Sequence, residues 1–551
     1  MKNRIVVQVN NIYKFVYDEG VSIEEVMLDY KKQSGKVVIG AKIDNLLVEI
    51  NTKLHKDTKI QFIDYLDQEG NKIYKSGLKF LLQVTAKLLW NINVKYKYSL
   101  DKGIYVEFNK NITDEQILEL KNKMLEVANY SYPIRKCITR RIDALTYYMK
   151  TGEEIKKENI QNIPNSYVEL YEINQTYNYF YSNMPPNTSE LKVFELERIN
   201  KNSLMLLYPR VDLDGELPKF YYSQKIFDEL ERYHRWSEKM NVEYISDLNK
   251  IVANGGIQKF IKMNNIMIDD SLYTVAKDVV SKKDKIKMIL IGGPSSSGKT
   301  TSAYRLCTYL ETFGIKPIVI SADDYFKERE ETAVDSEGNY DFENLDALDL
   351  KLFNKQMSEL LAGKEVKLPK FDFILGTKVY DNKATKMDED NILLIEGIHC
   401  LNDEMSKSIK RENKYKIFVC PLTPLSLDEH NHLSTTDMRL IRRIVRDNRT
   451  RGRNAEETID NYPIVNRGEN RNIFPFTNDI DSILNTAYAY EVGVLRVYVE
   501  PLLYRIPPHS MYYDEARRLL SLLRMFYPIT SEYIEDDNTL REFIGGSIYE
   551  R

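Results

Sequence analysis

The chain has 551 residues, with 78 Lys and Arg against 82 Asp and Glu and a formal net charge of −4. Its length asks for about two to four cores, and the near-neutral balance gives no global cationic surface for nucleic acid or an anionic membrane. The opening MKNRIVVQVNN lacks an apolar signal core, no apolar run approaches membrane-spanning length, and Cys137, Cys307, Cys400 and Cys420 lack C-x-x-C spacing, so reduced thiols and a cytoplasmic location are expected.

Residues 1–62 predict a small α+β unit. RIVVQV is strand-like, and Ser22 caps SIEEVMLDYKK with Glu25 placed to complete a capping box. VVIGAKI, LLVEI and KIQFIDYL are short strand candidates. A second unit is expected over 63–230 and a helical connector over 231–284. Across 197–284, the stretch that connects the halves, PKFYYSQKIFDELERYHRWSEKM enters one helix, ISDLNKIVANGG forms another ending at Gly255-Gly256, and a third follows. With no Gly/Ser-rich or Pro-rich linker, the two halves of the chain are expected to pack together.

Residues 285–490 carry the strongest signal. An apolar run, Met288 to Ile291, reads as a buried parallel strand. It meets Gly293-Pro-Ser295-Ser296-Ser297-Gly298-Lys299-Thr300, which fits G-x-x-x-x-G-K-[ST], and a helix over Thr301 to Leu310. Strand, glycine loop and helix are the context of a P-loop. The two glycines let successive N–H groups converge on an anion, Lys299 is placed for the β- and γ-phosphates, and Thr300 for magnesium. A second strand, Lys316 to Ile320, ends in Ser-Ala-Asp323-Asp324-Tyr325-Phe326, and NILLIEGIHCL brings Glu396 to the end of a third. Acids at the carboxyl ends of parallel strands flank the ligand crevice. Asp323 is the expected base and Glu396 a magnesium-holding acid. On extended backbone, Asp323 and Asp324 point to opposite sides.

TTDMRLIRRIVRDNRTRGR sets Arg439, Arg442, Arg443 and Arg446 on one helical face, with Arg449, Arg451 and Arg453 beyond. The expectation is a closing lid that neutralises phosphate charge. His430-x-His432 reads as ordinary packing. After residue 490, LLYRIPPHS suggests a loop and YDEARRLLSLLRMFYPI a closing amphipathic helix, giving a C-terminal helical extension over 491–551.

Two resemblances follow from these residues. Over roughly the first 200 residues the chain resembles the front end of threonyl-tRNA synthetases. Residues 1–62 resemble a TGS domain, 75–108 the opening of the editing-type domain, and YSNMPPNTSELKVFEL its later metal-site segment. Lys75 and Lys79 stand where that family has His-x-x-x-His, and Tyr181, Ser182 and Pro186 bring no Cys or His. An ammonium has no lone pair for zinc. The resemblance therefore implies a retained fold without the hydrolytic site, and it leaves RNA contact open. Lys75 and Lys79 are expected on a solvated helix face, with an anion-binding edge as the alternative.

Residues 287 to 490 resemble the uridine kinase and phosphoribulokinase superfamily through GGPSSSGKTT, ISADDYF, LLIEGIHCL and RLIRRIVRDNRTRGR. The resemblance implies an α/β P-loop kinase fold with a parallel sheet, ATP and Mg²⁺ as cofactors, and a nucleoside as acceptor. It implies Asp323, Lys299 and Arg446 in catalysis, and Gly293, Ser295, Ser296, Ser297, Gly298, Lys299, Thr300, Thr301, Arg451 and Arg453 around the nucleotide. Thr300 and Glu396 are implied at the metal, and Asp324, Tyr325, Asp341, Glu343, Phe371 and Arg443 at the acceptor. Glu343, in FENLDA, takes the place of the sugar-holding Asp of the family, with Asp341 as the alternative, and Ile374-Leu375-Gly376-Thr377 has no base-reading His. A sugar phosphate or another small alcohol is the alternative acceptor. A nucleotide-sensing RNA-binding regulator is the alternative class, and oligomeric state stays open.

Overall fold

The computed structural model describes residues 3–549 apart from 101–102, 164, 221–222, 329–330, 332–342, 373–374, 382 and 424. The expected acceptor residue Asp341, and Phe373 and Ile374 of the acceptor segment, lie outside the described residues.

Near the N-terminus a mixed five-stranded sheet runs Tyr13–Asp18, Arg4–Val9, Thr58–Ile63, Gly40–Ile43, Leu46–Val48. Arg4–Val9 buries alternate residues, the period-2 signature of a strand with one face inward. The helix Ile23–Ser34 begins in the expected capping box, with Ser22 and Glu25 each accepting from the other's backbone N–H. Tyr13–Asp18 adds a strand beyond the expected ones. Asn10 and Asn11, at φ 49° and 57°, supply the left-handed turn that a tight hairpin requires.

The long helix Gln68–Trp90 is buried almost continuously from Ile73 to Ala86. It shares its core with the antiparallel sheet Glu195–Asn200, Ser203–Leu207, Gly103–Phe108, Val94–Leu100. Gly77 is needed there, because a Cβ would lie 2.7 Å from Pro185.

The second half is a five-stranded parallel sheet in the order Lys316–Ser321, Asn391–Glu396, Met288–Gly292, Lys414–Cys420, Ser482–Asn485. Met288–Gly292 and Lys414–Cys420 are buried at every residue, as strands covered on both faces must be. One face shares a core with the helices Ile257–Ser281, Lys299–Thr312 and Thr435–Thr450, and the other packs Leu350–Leu361.

Two helices carry residues that ordinarily break a helix. Glu491–Tyr504 has Pro501 in its last turn, and the expected loop LLYRIPPHS leaves the helix at Arg505. Ala455–Asn472 contains Pro463 and Gly468. Burial of Val492, Leu495 and Val499 in one, and of Ile459, Tyr462 and Val465 in the other, outweighs these helix breakers. The C-terminal segment joins the main core through Phe526, Leu540 and Phe543. The halves pack directly, with Tyr96 N–H donating to Glu429 O at 2.8 Å and Asn431 Nδ2 to Tyr179 O at 3.1 Å. Among the described residues no helix is long and apolar enough to cross a membrane.

Arg442 and Glu491 are both essentially inaccessible and pair at 2.6 Å. Removing one member strands a buried charge. Glu491→Ala should lower stability by about 3–5 kcal/mol, read as a lower urea midpoint by Trp236 fluorescence with Trp90 replaced by Phe. Arg442→Met with Glu491→Met should recover most of the loss. An unchanged midpoint in the single variant contradicts the assignment.

Candidate active site

The P-loop rises from the middle strand of the parallel sheet. A Cβ on Gly293 would lie 2.1 Å from Val419 O, so the loop presses on the adjoining strand more closely than a side chain permits. Ser296 and Gly298 take left-handed backbone at φ 58° and 83°, and a Cβ on Gly298 would reach 2.3 Å from Thr539 Cγ2. The helix Lys299–Thr312 starts directly from this curl. Its free N–H groups and those of the loop converge as an anion cradle.

Lys299 Nζ donates to Pro294 O at 3.0 Å across the loop. Thr300 is exposed, with Oγ1 3.5 Å from Glu396 Oε2, and Ser321 Oγ donates to the other Glu396 oxygen at 3.1 Å. Burial and the neighbouring Asp323 push the Glu396 carboxyl up to about 7, against the pull of Lys299. Thr301 departs from its expected nucleotide contact. It is buried, and its hydroxyl donates to Glu542 at 2.9 Å.

Asp323 and Asp324 sit on a single 3-10 turn, Ala322–Tyr325, not on extended backbone. Their carboxylates still diverge in role. Asp324 accepts the Phe371 N–H at 3.2 Å and is tied to the hairpin that begins with Pro369–Asp372. The Asp323 carboxylate takes no hydrogen bond from the described residues. Burial raises its pKa, Lys299 and Arg451 pull it down, and Asp324 pushes it further up. Lys299, Asp323 and Glu396 thus act on one another across one crevice. Tyr325 is wholly buried against Phe353 and donates to Gln356, and Phe371 packs edge-on against Phe326. Both expected acceptor residues therefore stand in the core behind the acids.

The arginine segment is not a lid. Its helix is packed, and the stripe serves the underside of the loop. Arg439 Nη1 lies 2.6 and 2.7 Å from the two Glu469 oxygens and 3.3 Å from Ser295 O. Arg442 reaches Glu491, Thr486 O and Ser296 O. Arg443 donates to Ser295 Oγ at 2.7 Å. Only the far end stays open. Arg446 pairs with buried Asp447 at 2.9 Å, Arg451 lies 3.6 Å from the same carboxylate, and Arg453 is exposed. Partial burial and the charge of Arg446 pull Arg451 down to about 10, the mark of cations crowded without enough counter-charge.

Glu469, which also accepts the Ser295 N–H at 2.7 Å, and Asp447 were not singled out from the sequence. The available signal was indirect: arginines on a helix that is to be buried need carboxylates. Glu343 meets this network from the other side, its Cβ 2.6 Å from where a Cβ on Gly468 would stand.

The fold and the site define an α/β domain of the P-loop type. Residues 288–489 match the Phosphoribulokinase / Uridine kinase family. The N-terminal region is similar to threonine–tRNA ligases. That of Burkholderia orbicola (strain MC0-3) is 27% identical over 187 residues, 33% of this chain and 29% of the relative. The ligase of Nitrosococcus oceani gives the same figures. The chain thus spans about 29% of the length of the curated relatives it matches. The solved "Structure of a Possible Uridine Kinase from Bacillus stearothermophilus" is similar at 23% identity over 27% of this chain and 79% of that one, with a TM-score of 0.24.

Burial, then the nearby Glu469 charge, push the Glu343 carboxyl up to about 7 against the pull of Arg443. An unfolded Glu titrates near 4.3, so the folded state binds the extra proton. The cost of ionising Glu343 is absent below about pH 4, grows with pH and is complete above about pH 7. Glu343→Gln should therefore stabilise the ligand-free protein by about 1–3 kcal/mol at pH 8 and hardly at pH 4.5. Thermal unfolding at the two pH values checks this, and an equal gain at both would refute it.

Proposed function

We propose that the chain is an ATP-dependent kinase acting on the hydroxyl of a small acceptor, with a nucleoside as the acceptor class. The observation that carries the reading is the Asp323 carboxylate. Among the described residues it has no hydrogen bond, in the crevice shared with Lys299 and Glu396, while its neighbour Asp324 is spent on the Phe371 N–H. A structural acid would be capped. A base must be free to accept a proton.

The glycine cradle fits a triphosphate, because it presents backbone N–H groups with no Cβ in the way. Lys299 would leave Pro294 O for the β- and γ-phosphates. Thr300 and Glu396 would hold magnesium, which when bound supplies charge neutralisation between the phosphates. Asp323 orients the acceptor hydroxyl and accepts its proton as the acceptor oxygen bonds to the γ-phosphorus. The bond from that phosphorus to the bridging oxygen breaks, and ADP departs. Arg446 and Arg451 stand at the open end of the arginine helix, where charge on the transferring group would be met.

The nucleoside reading draws support from the family match over 288–489. A sugar phosphate or another small alcohol is the second reading, favoured by Glu343 in the sugar-holding position and by Ile374-Leu375-Gly376-Thr377, which brings no base-reading His. In the N-terminal region the likeness to threonine–tRNA ligase supports RNA contact without hydrolysis, since Lys75 and Lys79 offer no metal ligands.

Steady-state kinetics with ATP, magnesium and a panel of nucleosides and sugar phosphates, read as ADP release, tests both readings. Asp323→Asn should lower turnover about a hundredfold or more with ATP affinity nearly unchanged, and Asp324→Asn should do less. Lys299→Ala should abolish transfer. Normal turnover in Asp323→Asn would remove the proposed base, and release of ADP only with sugar phosphates would replace the nucleoside.

A further inference from the structure

A cavity of about 280 Å³ lies between the two halves of the chain, apart from the P-loop. One wall is the long helix Gln68–Trp90, and the opposite wall is built from the helices that begin at Thr435 and Ala455. Six cationic side chains line it: Lys72, Lys75, Lys79, Arg210, Arg467 and Arg518. Three are neutralised locally. Lys72 pairs with Glu515, Arg210 with Asp212, and Arg518 with Asp437 and Glu515. Those pairs account for both acids of the lining, Asp212 and Asp437. The side chains of Lys75, Lys79 and Arg467 form no ion pair or hydrogen bond among the described residues.

Lys79 decides what this means. The sequence placed it on a solvated face, yet it is 94% buried, since only 6% of its surface is exposed. Its ammonium lies 5.0 Å from the Tyr96 ring centre and 5.8 Å from that of Phe180. Burial, reinforced by the charge of Lys75, pulls its pKa down to about 7. A buried ammonium that faces two aromatic rings, with the charge of Asp428 offsetting only part of its desolvation, is costly. An anion in the cavity would relieve that cost.

We propose that this cavity is a second ligand site that takes a nucleoside monophosphate, with Lys75, Lys79 and Arg467 on the phosphate. The rest of the lining suits the organic part. Phe180 and Tyr181 give ring surface, and the amides of Asn466 and Asn470 give hydrogen-bonding groups. The site is independent of the P-loop but adjacent to its supports. Asn466, Arg467 and Asn470 belong to the same turns of helix as Glu469, which holds the Ser295 N–H.

The test uses the full chain saturated with magnesium and a non-hydrolysable ATP analogue. Calorimetric titration follows with nucleoside monophosphates, inorganic phosphate and a short RNA oligonucleotide. One further site per chain is expected for a nucleoside monophosphate, with Kd below about 1 mM and weaker binding of inorganic phosphate. Lys79→Met should weaken it about tenfold or more, the loss of one charge-assisted contact. Arg467→Ala, at an exposed position that does not threaten folding, should act in the same direction. Lys299→Ala should leave it intact. Absence of a second site, binding indifferent to both Lys79→Met and Arg467→Ala, binding lost in Lys299→Ala, or binding of the RNA alone would each overturn the proposal. Failure of the P-loop reading would appear separately, as failure of the analogue to bind.

Discussion

The structure of the second half depends on one buried ion pair. Glu469 accepts from Arg439 and from the Ser295 N–H, and both charged side chains are almost fully enclosed. That carboxylate joins the first residues of the P-loop to two helices at once. Arg442 with Glu491 does the same one turn further along, gripping Ser296 O and Thr486. The cradle is therefore held from beneath by charges that never reach solvent.

Such pairs are poor sources of stability, since desolvation offsets most of the Coulombic gain. Their use here is geometric. A loop that must present N–H groups to an anion needs its shape held from outside, and here most of that hold falls on its carbonyls and side chains. Arg439 and Arg442 take the Ser295 and Ser296 carbonyls, Arg443 the Ser295 hydroxyl, and Thr486 the Ser297 carbonyl. The acids on the opposite side of the crevice are left under tension. Asp323, Glu343 and Glu396 are all pushed up by burial, a condition that carboxylates at working sites share with carboxylates enclosed in structural networks.

Local chemistry was legible in the sequence, and long-range partnering was not. The Ser22–Glu25 capping box, the P-loop and the strand ends bearing Asp323 and Glu396 each need only a few consecutive residues, and each was visible. The helix carrying Glu469 was not singled out, and its Pro463 and Gly468 give it a weak local helix signal that only tertiary burial outweighs. The arginine stripe showed its period but not its environment, and a lid and a buried prop share the same spacing. Lys79 failed for the reverse reason. A lysine in a helix reads as solvated, and only the folded interface puts Tyr96 and Phe180 around it. Tyr325, next to the acids in sequence, is turned into the core by a 3-10 turn where extended backbone was expected.

The central claim is that the crevice between the glycine loop and Asp323 is where a phosphoryl group is transferred to a hydroxyl. A crystal structure of the full chain with magnesium, a non-hydrolysable ATP analogue and a nucleoside tests it most directly. The account predicts the triphosphate in the Gly293–Thr300 loop and the acceptor hydroxyl within about 2.6–3.2 Å of an Asp323 oxygen. Asp324 should still be bound to the Phe371 N–H. A nucleotide seated elsewhere, or an acceptor hydroxyl approached by Asp324 or by no carboxylate, would contradict it.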